Sequence, residues 1–416
     1  MTGLARRTLL AHTLAAGGAA LAARPAQAQA PVIKAQAQAP VIKVGMLADQ
    51  SGVNSILGGK LSFECARQAI LDQDAVTVEL IGADHHNSPD QGLAIARQWI
   101  DAGVDAIMEF NNSAVALGVN GLVRDKDKVM LGNNVGAAAL SGAQCTPNQT
   151  HWTFDTAMLA RVVGNALCDQ GADTWFFIRA DYVFGRELRD DTARVVASRG
   201  GKVFGEVAVP LGSTDYAAAL LEAQSSGAKV VALALAGTDL FNCLKQAAEF
   251  GLMRGAQKVA TLVMYPQYVK SIGLEAVQNI YATESFYWDL NDRTRAFTKR
   301  VDGRTGGMPP HMGAAGAYSA VRHYLKAVAA LGVAEARRSG AAAVAKMKQI
   351  PIEDDVLANA SIRPDGRVVS DVYLFEVKTP AESHGPWDYY KWRATLGPDR
   401  AWRPMSEGGC KLPGVT

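Results

Sequence analysis

The adjacent histidines at 85 and 86, flanked by Asp84 and Asn87, are the one cluster in this 416-residue chain that invites a metal reading. Neighbouring side chains on a loop after a strand point apart, and no third ligand stands at a suitable spacing, so solvent and hydrogen-bonding roles fit better. Catalytic patterns are missing where an enzyme would need them: there is no Gly-x-Ser-x-Gly elbow, no His-Glu-x-x-His and no Walker-type loop. The alternating charges from Arg186 to Arg194 read as a solvated helix face. What remains is chemistry of recognition. Short polar stretches hold Asp49, Gln50, Ser51 and Gly52, then Asn111, Asn112 and Ser113, then Asn133, Asn134, Val135 and Gly136. Each leads into a helical pattern whose first amides lack partners within the helix, and such an end can receive a carboxylate or another acceptor-rich group. Asn112 and Ser113 could equally cap their own helix. Further on, Tyr182 and Phe184 set two rings beside Gly185, followed by Gly237, Thr238 and Asp239, by Tyr265, Pro266 and Gln267, and by the run Phe286 to Asp289 with Trp288.

The elements that must position these residues are βα units. Short β-rich runs alternate with Ala-rich helical patterns at a spacing of about 25 to 35 residues, which predicts parallel sheets. VIKVGMLAD, TVELIGAD, AIMEF and VMLGN form a first series; TWFFIRAD, KVFGEVAVP, KVVALAL, KVATLVM and NIYATESFYW form a second. Two series of this size imply two similar lobes, with ligands expected beyond the carboxyl ends of the strands. Ser88-Pro89-Asp90-Gln91 opens a helix of about a dozen residues. Residues 294–304, 314–331 and 341–349 read as further helices, Pro364-Asp365-Gly366 as the turn of a hairpin, and Trp387 to Trp402 as an aromatic tail without a pattern of its own.

Arg6 and Arg7, the apolar run from Leu9 to Ala23 and an Ala-Gln-Ala signature read as a cleavable export signal over residues 1–28. AQAQAPVIK stands at 26–34 and again at 35–43; residues 29–39 are read as a duplicated linker, and the folded chain is expected to start near Pro40. Loss of residues 1–28 removes three arginines and turns the formal charge of +2 into about −1, a balance unlike that of a nucleic-acid binder. No later apolar run approaches the roughly 18 residues of a membrane helix, so a soluble exported protein is expected. The cysteines are too far apart for close-spaced metal ligation. In an oxidising compartment Cys145 and Cys410, both in loop-like sequence, are the disulfide candidates, whereas Cys65, Cys168 and Cys243 fall in helical patterns as small apolar residues.

VIKVGMLADQSG, NNSAVALGV, ADYVFG leading into RELRDDT, LLEAQSSGAKVVALALAGTD and KQAAEFG together make residues 40–380 similar to the type I periplasmic substrate-binding proteins of ABC transporters, in the branch of the leucine/isoleucine/valine-binding protein. The resemblance implies an α/β fold of two Rossmann-like (flavodoxin-like) lobes joined by a three-crossover hinge. Lobe one is then expected at 40–155 plus 289–345, lobe two at 156–288 plus 346–384, and a C-terminal tail at 385–416. It also implies a periplasmic monomer without cofactor that closes on a small-molecule ligand and presents it to permease subunits at the membrane. The carried-over loops at Asn111, Asn112, Ser113, Asn134, Val135 and Gly136 and the ring of Phe184, joined with the post-strand residues Gln50, Ser51, Tyr182, Gly237, Tyr265 and Trp288, make up the expected ligand set. Amino-acid binders of the branch hold the ammonium with a threonine after the fourth strand and an acid near positions 264–265; neither stands here. A buried ammonium without partners costs several kcal/mol, which favours a neutral amide or an aromatic or aliphatic carboxylate over a zwitterion. Branched-chain amino-acid uptake stays open, as do an exported hydrolase using Asp181 or Asp239 and a ligand-sensing module for a membrane sensor.

Overall fold

The computed structural model describes residues 41–415; the export signal, the duplicated linker and Pro40 lie outside the described residues. The first sheet contains β1 (Ile42–Ala48), β2 (Val78–Asp84), β3 (Ala106–Glu109), β4 (Val129–Gly132) and β5 (Gln149–His151), all parallel in the order β2-β1-β3-β4-β5. The second contains β6 (Thr174–Ala180), β7 (Lys202–Val209), β8 (Val230–Ala234) and β9 (Lys258–Thr261), parallel in the order β7-β6-β8-β9. Central strands such as β8, buried along its whole length, are continuous apolar runs because helices cover both faces. In each sheet the order reverses beside its first strand, between β1 and β3 and between β6 and β8. The crevices at those two switch points are where a doubly wound sheet offers room for a ligand.

The helices form where their local signals stand. Ser88 caps Pro89–Asp101 by accepting from Gln91 N at 3.3 Å, with proline in the first turn where its missing N–H costs nothing. Asn291 and Thr294 make a reciprocal capping box at the start of Asp292–Thr305. Met312–Leu331, buried along most of its length, packs beneath the first sheet against Gly59–Leu71.

One expectation is corrected. Residues 281–284 do not extend the second parallel sheet: β10 (Tyr281–Glu284) pairs antiparallel with β13 (Val372–Val377), which in turn pairs antiparallel with β14 (Tyr390–Leu396). The aromatic tail thus becomes a strand, fixed by Tyr390 Oη donating to Met264 O at 2.9 Å and by stacking of Tyr287 on Tyr390 at 5.2 Å. The hairpin of β11 (Ser361–Ile362) and β12 (Val368–Val369) sits on the edge of the first sheet. There Gly366 O accepts from His151 N at 2.8 Å and Asp365 O from Gln149 Nε2 at 3.0 Å.

Cys145 and Cys410 are joined as a disulfide, with a Cα–Cα distance of 5.6 Å, and tie the C-terminal segment to the loop before β5. Cys65 and Cys243 are buried free thiols. A cross-link over 265 residues restricts the unfolded chain strongly. Cys145→Ser is therefore expected to lower stability by about 2–4 kcal/mol. Equal melting temperatures for reduced and oxidised protein would show that the tether is idle. Among the described residues, no helix is long and apolar enough to cross a membrane.

Candidate functional site

The loops at the two switch points meet. Leu57 after β1, Asn111, Asn112 and Ser113 after β3, and Asn134 and Gly136 after β4 face Tyr182 and Phe184 after β6 and Ala236 after β8, with Phe154 at the crossing between the sheets. Together they line a narrow cavity of about 10 Å³ between the two sets of loops. Gly136 is required: an added Cβ would overlap the ring of Phe184, so only glycine lets the loop after β4 lie on that ring. Direct bonds close the same seam. Thr238 N donates to Val53 O at 2.8 Å, and Ala138 N donates to a Glu187 carboxylate oxygen at 2.8 Å.

Within this wall the side chains divide by what they have left to offer. Asn111 is spent: its Oδ1 accepts from Asp49 N at 2.6 Å and its Nδ2 donates to Asp49 O and Asn54 O. Asn112 caps Ser113–Asp125 by accepting from Ala114 N and Val115 N, and its amide donates to Asn87 Oδ1 at 3.2 Å. Ser113 makes no side-chain bond among those of the described residues, so its hydroxyl at the helix start remains free for a ligand. The phenol of Tyr182 is pushed up by burial and by the nearby Asp239, and stays a neutral donor.

Not all the residues expected here arrive. Gln50 and Ser51 are exposed, and Ser51 Oγ donates to Asp84 Oδ2 at 2.7 Å, because the loop turns away from the cavity before Val53. Val135 is buried in the apolar layer behind the wall, its carbonyl bonded to His151 Nε2 at 2.6 Å. Gly237 does not line the cavity; its N donates to Tyr268 Oη at 2.8 Å beside the seam. Tyr265 stacks on His311 at 4.0 Å behind the site. Trp288, in the turn after β10, donates to Trp387 O at 3.0 Å in the turn before β14, away from the cavity. Of the two acids named for hydrolysis, Asp181 is exposed and paired with Arg179 and Arg186. Asp239 is pushed up to about 6 by burial and accepts from Gly212 N at 3.0 Å. His85 is buried, and its Nδ1 accepts from Asn87 N at 3.1 Å.

Sequence reasoning missed Glu109. It ends β3 with φ of 86°, and Phe110 follows at 83°, two non-glycine residues in a region that costs about 1–3 kcal/mol each. This turn sends the carboxylate inward, where it is fully buried and accepts from Asn133 Nδ2 and Asn134 Nδ2, both at 2.6 Å. Burial pushes its pKa up to about 7 against the pull of those donors. Leu57, Phe154 and Ala236 were also missed, being apolar and indistinguishable in sequence from core. Glu284 was missed as well; its carboxylate accepts from Met312 N at 3.0 Å, and burial raises its pKa well above the ordinary value. A larger open groove at the outer edge of the second sheet, lined by Lys258, Tyr281 and Glu376, meets none of these strand tips.

Two parallel sheets whose switch points face one another across a small cavity are the architecture of a solute receptor, and a family model described as periplasmic binding protein matches residues 41–384. The chain belongs to the periplasmic binding proteins. Its structure is similar to that of a periplasmic binding protein from Burkholderia mallei, with 38% sequence identity, a TM-score of 0.85, and 90% of this chain and 99% of that one covered. It is similar also to a branched-chain amino acid ABC transporter periplasmic ligand-binding protein from Burkholderia xenovorans LB400, at 36% identity and a TM-score of 0.78, covering 89% and 99%. A solute binding protein of an ABC transporter from R. palustris, solved with benzoate, shares the fold at 18% identity and a TM-score of 0.77, over 89% of this chain and all of that one. No curated protein matches the chain in sequence. As a periplasmic binding protein the chain is a solute-binding receptor of the ABC-transporter type.

Proposed function

We propose that this periplasmic binding protein captures one small organic solute between the loops after β1, β3 and β4 and those after β6 and β8, and presents the closed form to the permease of an importer. The observation that carries this is the meeting of both switch points on one cavity. A ligand touching both sides stabilises the closed state by contacts that an open state lacks, which is all that closure requires. The site residues are Ser113, Asn134, Gly136, Tyr182 and Phe184 from the expected set, with Leu57, Phe154 and Ala236 added. We place lobe one at about 41–154 plus 289–370 and lobe two at about 156–288 plus 371–396, following the hairpin on β5 and the third sheet beside β9.

The cavity wall is half apolar, with Leu57, Phe154 and the Phe184 ring, and among the described residues it carries no fixed charge. It suits a ligand with a flat or branched apolar body and a polar end, such as an amide, an aromatic carboxylate or a branched-chain amino acid. The protein acts as a monomer and leaves its ligand chemically unchanged: among the described residues the only titratable side chain on the wall is Tyr182, and Asp181 and Asp239 are engaged elsewhere. Calorimetric titration with leucine, benzoate, benzamide and aliphatic amides tests the reading, with micromolar or tighter binding of one class and unaltered ligand recovered afterwards. Ser113→Ala should weaken that binding by about five- to thirtyfold, the worth of one hydrogen bond of about 1–2 kcal/mol. Silence across the whole panel, or a converted product, would count against it.

A further inference from the structure

Glu187 is an acid whose partner lies across the seam. It sits in the second turn of helix Val183–Ser198, one turn beyond Phe184, and its Oε2 accepts from Ala138 N at 2.8 Å. Ala138 opens the short 3-10 turn Ala138–Ser141 that follows β4. That turn is held from behind by the C-terminal segment: an Arg403 guanidinium N–H donates to Ala138 O at 3.1 Å, and the Cys145–Cys410 disulfide closes a few residues further on. The Ala138 peptide is thus fixed at both ends, its N–H towards the helix and its carbonyl towards Arg403. On the helix side the surroundings are acidic. Asp191, four residues on and so on the same helix face, is buried with its Oδ2 unpartnered among the described residues. Asp155, the cap of the adjoining helix Thr156–Cys168, adds a third carboxyl whose charge reaches Glu187.

We infer that Glu187 is a positioning residue for closure, a carboxyl of the second lobe that latches onto the Ala138 N–H of the first and does so best when it carries a proton, so that solute capture takes up a proton. This goes beyond the receptor reading and rests on its two-sided closure. Bringing the lobes together moves the carboxyl out of water and leaves it beside Asp191 and Asp155, a cost borne by the ionised form and escaped by the neutral one. The neutral acid keeps the latch, because its carbonyl oxygen still accepts from Ala138 N. Burial first, and then the Asp191 charge, push Glu187 up to about 7 against the pull of that N–H.

In an open form the carboxyl meets water and titrates in the ordinary carboxylate range, whereas in the closed form it keeps its proton up to about 7. The closed state therefore binds the extra proton, and solute affinity should rise about tenfold or more as pH falls from 8 to 5.5. The other charged groups around the latch leave that window clear. Asp155 is held below the usual carboxylate range by Arg367, His151 and Arg403 against its burial, and burial draws His151 down to about 3. Arg403, Arg161 of the adjoining helix and Arg194 beside Asp191 are guanidiniums that carry their charge throughout. On the sheet side Glu206 is paired with Arg179 and Arg189, and the charges of helix Ser113–Asp125, Arg124 and Asp125, pair with each other in its last turn. Asp191, itself raised by burial, is the one neighbour that shares the proton with Glu187.

The test is calorimetric titration of the full mature protein with leucine, benzoate and benzamide, none of which changes charge between pH 5.5 and 8, in buffers of different ionisation enthalpy so that protons taken up are counted. For the probe that binds, wild type should gain about tenfold or more in affinity from pH 8 to pH 5.5 and take up a proton fraction that grows through that range. Glu187→Gln keeps an acceptor for Ala138 N and cannot ionise, so its profile should be flat and its affinity at pH 8 should exceed that of wild type. A glutamate of merely structural worth would instead weaken binding at every pH when replaced. Glu187→Ala, which removes the acceptor, should be equally flat and weaker than E187Q. A wild-type affinity that is flat with pH, no proton uptake, or a slope that survives in E187Q overturns the inference. Should wild type bind none of the three probes, the proposed ligand class falls and small-angle scattering of the ligand-free protein decides the latch. The wild-type radius of gyration is then expected to be smaller at pH 5.5 than at pH 8 and that of E187Q the same at both, and an unchanged wild-type radius overturns the latch.

Discussion

Gly237→Ala is expected to weaken solute binding by about a hundredfold or more while leaving the protein folded. Gly237 opens helix Gly237–Glu249 at φ of 62°, a conformation that costs an L-residue about 1–2 kcal/mol. The new Cβ would also overlap the carbonyl oxygen of Val53, the acceptor of the Thr238 N–H that ties the loop after β8 to the loop after β1. The clash points across the seam rather than into either core, so the loops must separate to relieve it. A ligand that needs both sides then has to restore the contact at its own expense, and about 2.7 kcal/mol of such work is the hundredfold loss. Titration calorimetry reads the affinity and small-angle scattering reads the separation. Wild-type affinity in G237A would show that the Val53 contact is no part of the bound state.

The second large effect concerns stability. Arg367 is fully buried on the hairpin, with Nη1 3.6 Å from the Asp155 carboxylate, Nε donating to Val368 O at 3.1 Å, and its guanidinium 4.2 Å over the Trp402 ring. Asp155 caps helix Thr156–Cys168 at the first crossing between the sheets, accepting from Met158 N at 2.7 Å. Burial draws the Arg367 pKa down to about 9, with the Asp155 charge opposing that shift. Arg367→Met would leave Asp155 buried without its partner and is expected to cost about 3–5 kcal/mol, seen as a fall in the denaturation midpoint. Adding Asp155→Asn should return part of the loss, because the penalty lies in the orphaned charge.

The pH dependence of this pair follows from Asp155. Burial alone would raise its pKa, but Arg367, His151 and Arg403 outweigh that and hold it below the usual carboxylate range. A depressed carboxylate contributes stability that is present above the unfolded pKa and is lost as pH falls through the folded one. Wild type should thus lose the pair's contribution in acid, and R367M should show a shallower acid limb. Identical midpoints for R367M and wild type would remove Arg367 from the forces holding the crossing together.

The seat of the site is legible in the amino-acid sequence because it depends on order along the chain. Alternating β and α signals fix which loops follow which strands, and parallel pairing sends all of those loops to one end of a sheet. Order along the chain puts Ser113, Asn134, Gly136, Tyr182 and Phe184 on the cavity wall, and the loop-like settings of Cys145 and Cys410 point to their disulfide. Asn111 and Asn112 are legible as site residues but not as what they are: only the bonds to Asp49, Asn54 and Asn87 reveal that their amides are already spent.

Tertiary structure alone decided the rest. Glu109 reads in sequence as the polar end of AIMEF, and nothing local tells that two left-handed residues turn its carboxylate into the protein onto Asn133 and Asn134. The third sheet and the seat of the hairpin on β5 join segments far apart in sequence, so no periodicity could announce them. Local spacing determines which elements form and which loops carry polar groups, because helix and strand periods are short-range properties. Which polar side chains are spent on internal partners is set by groups that meet only when the chain folds, as Asn111 on Asp49 and Asn54 shows.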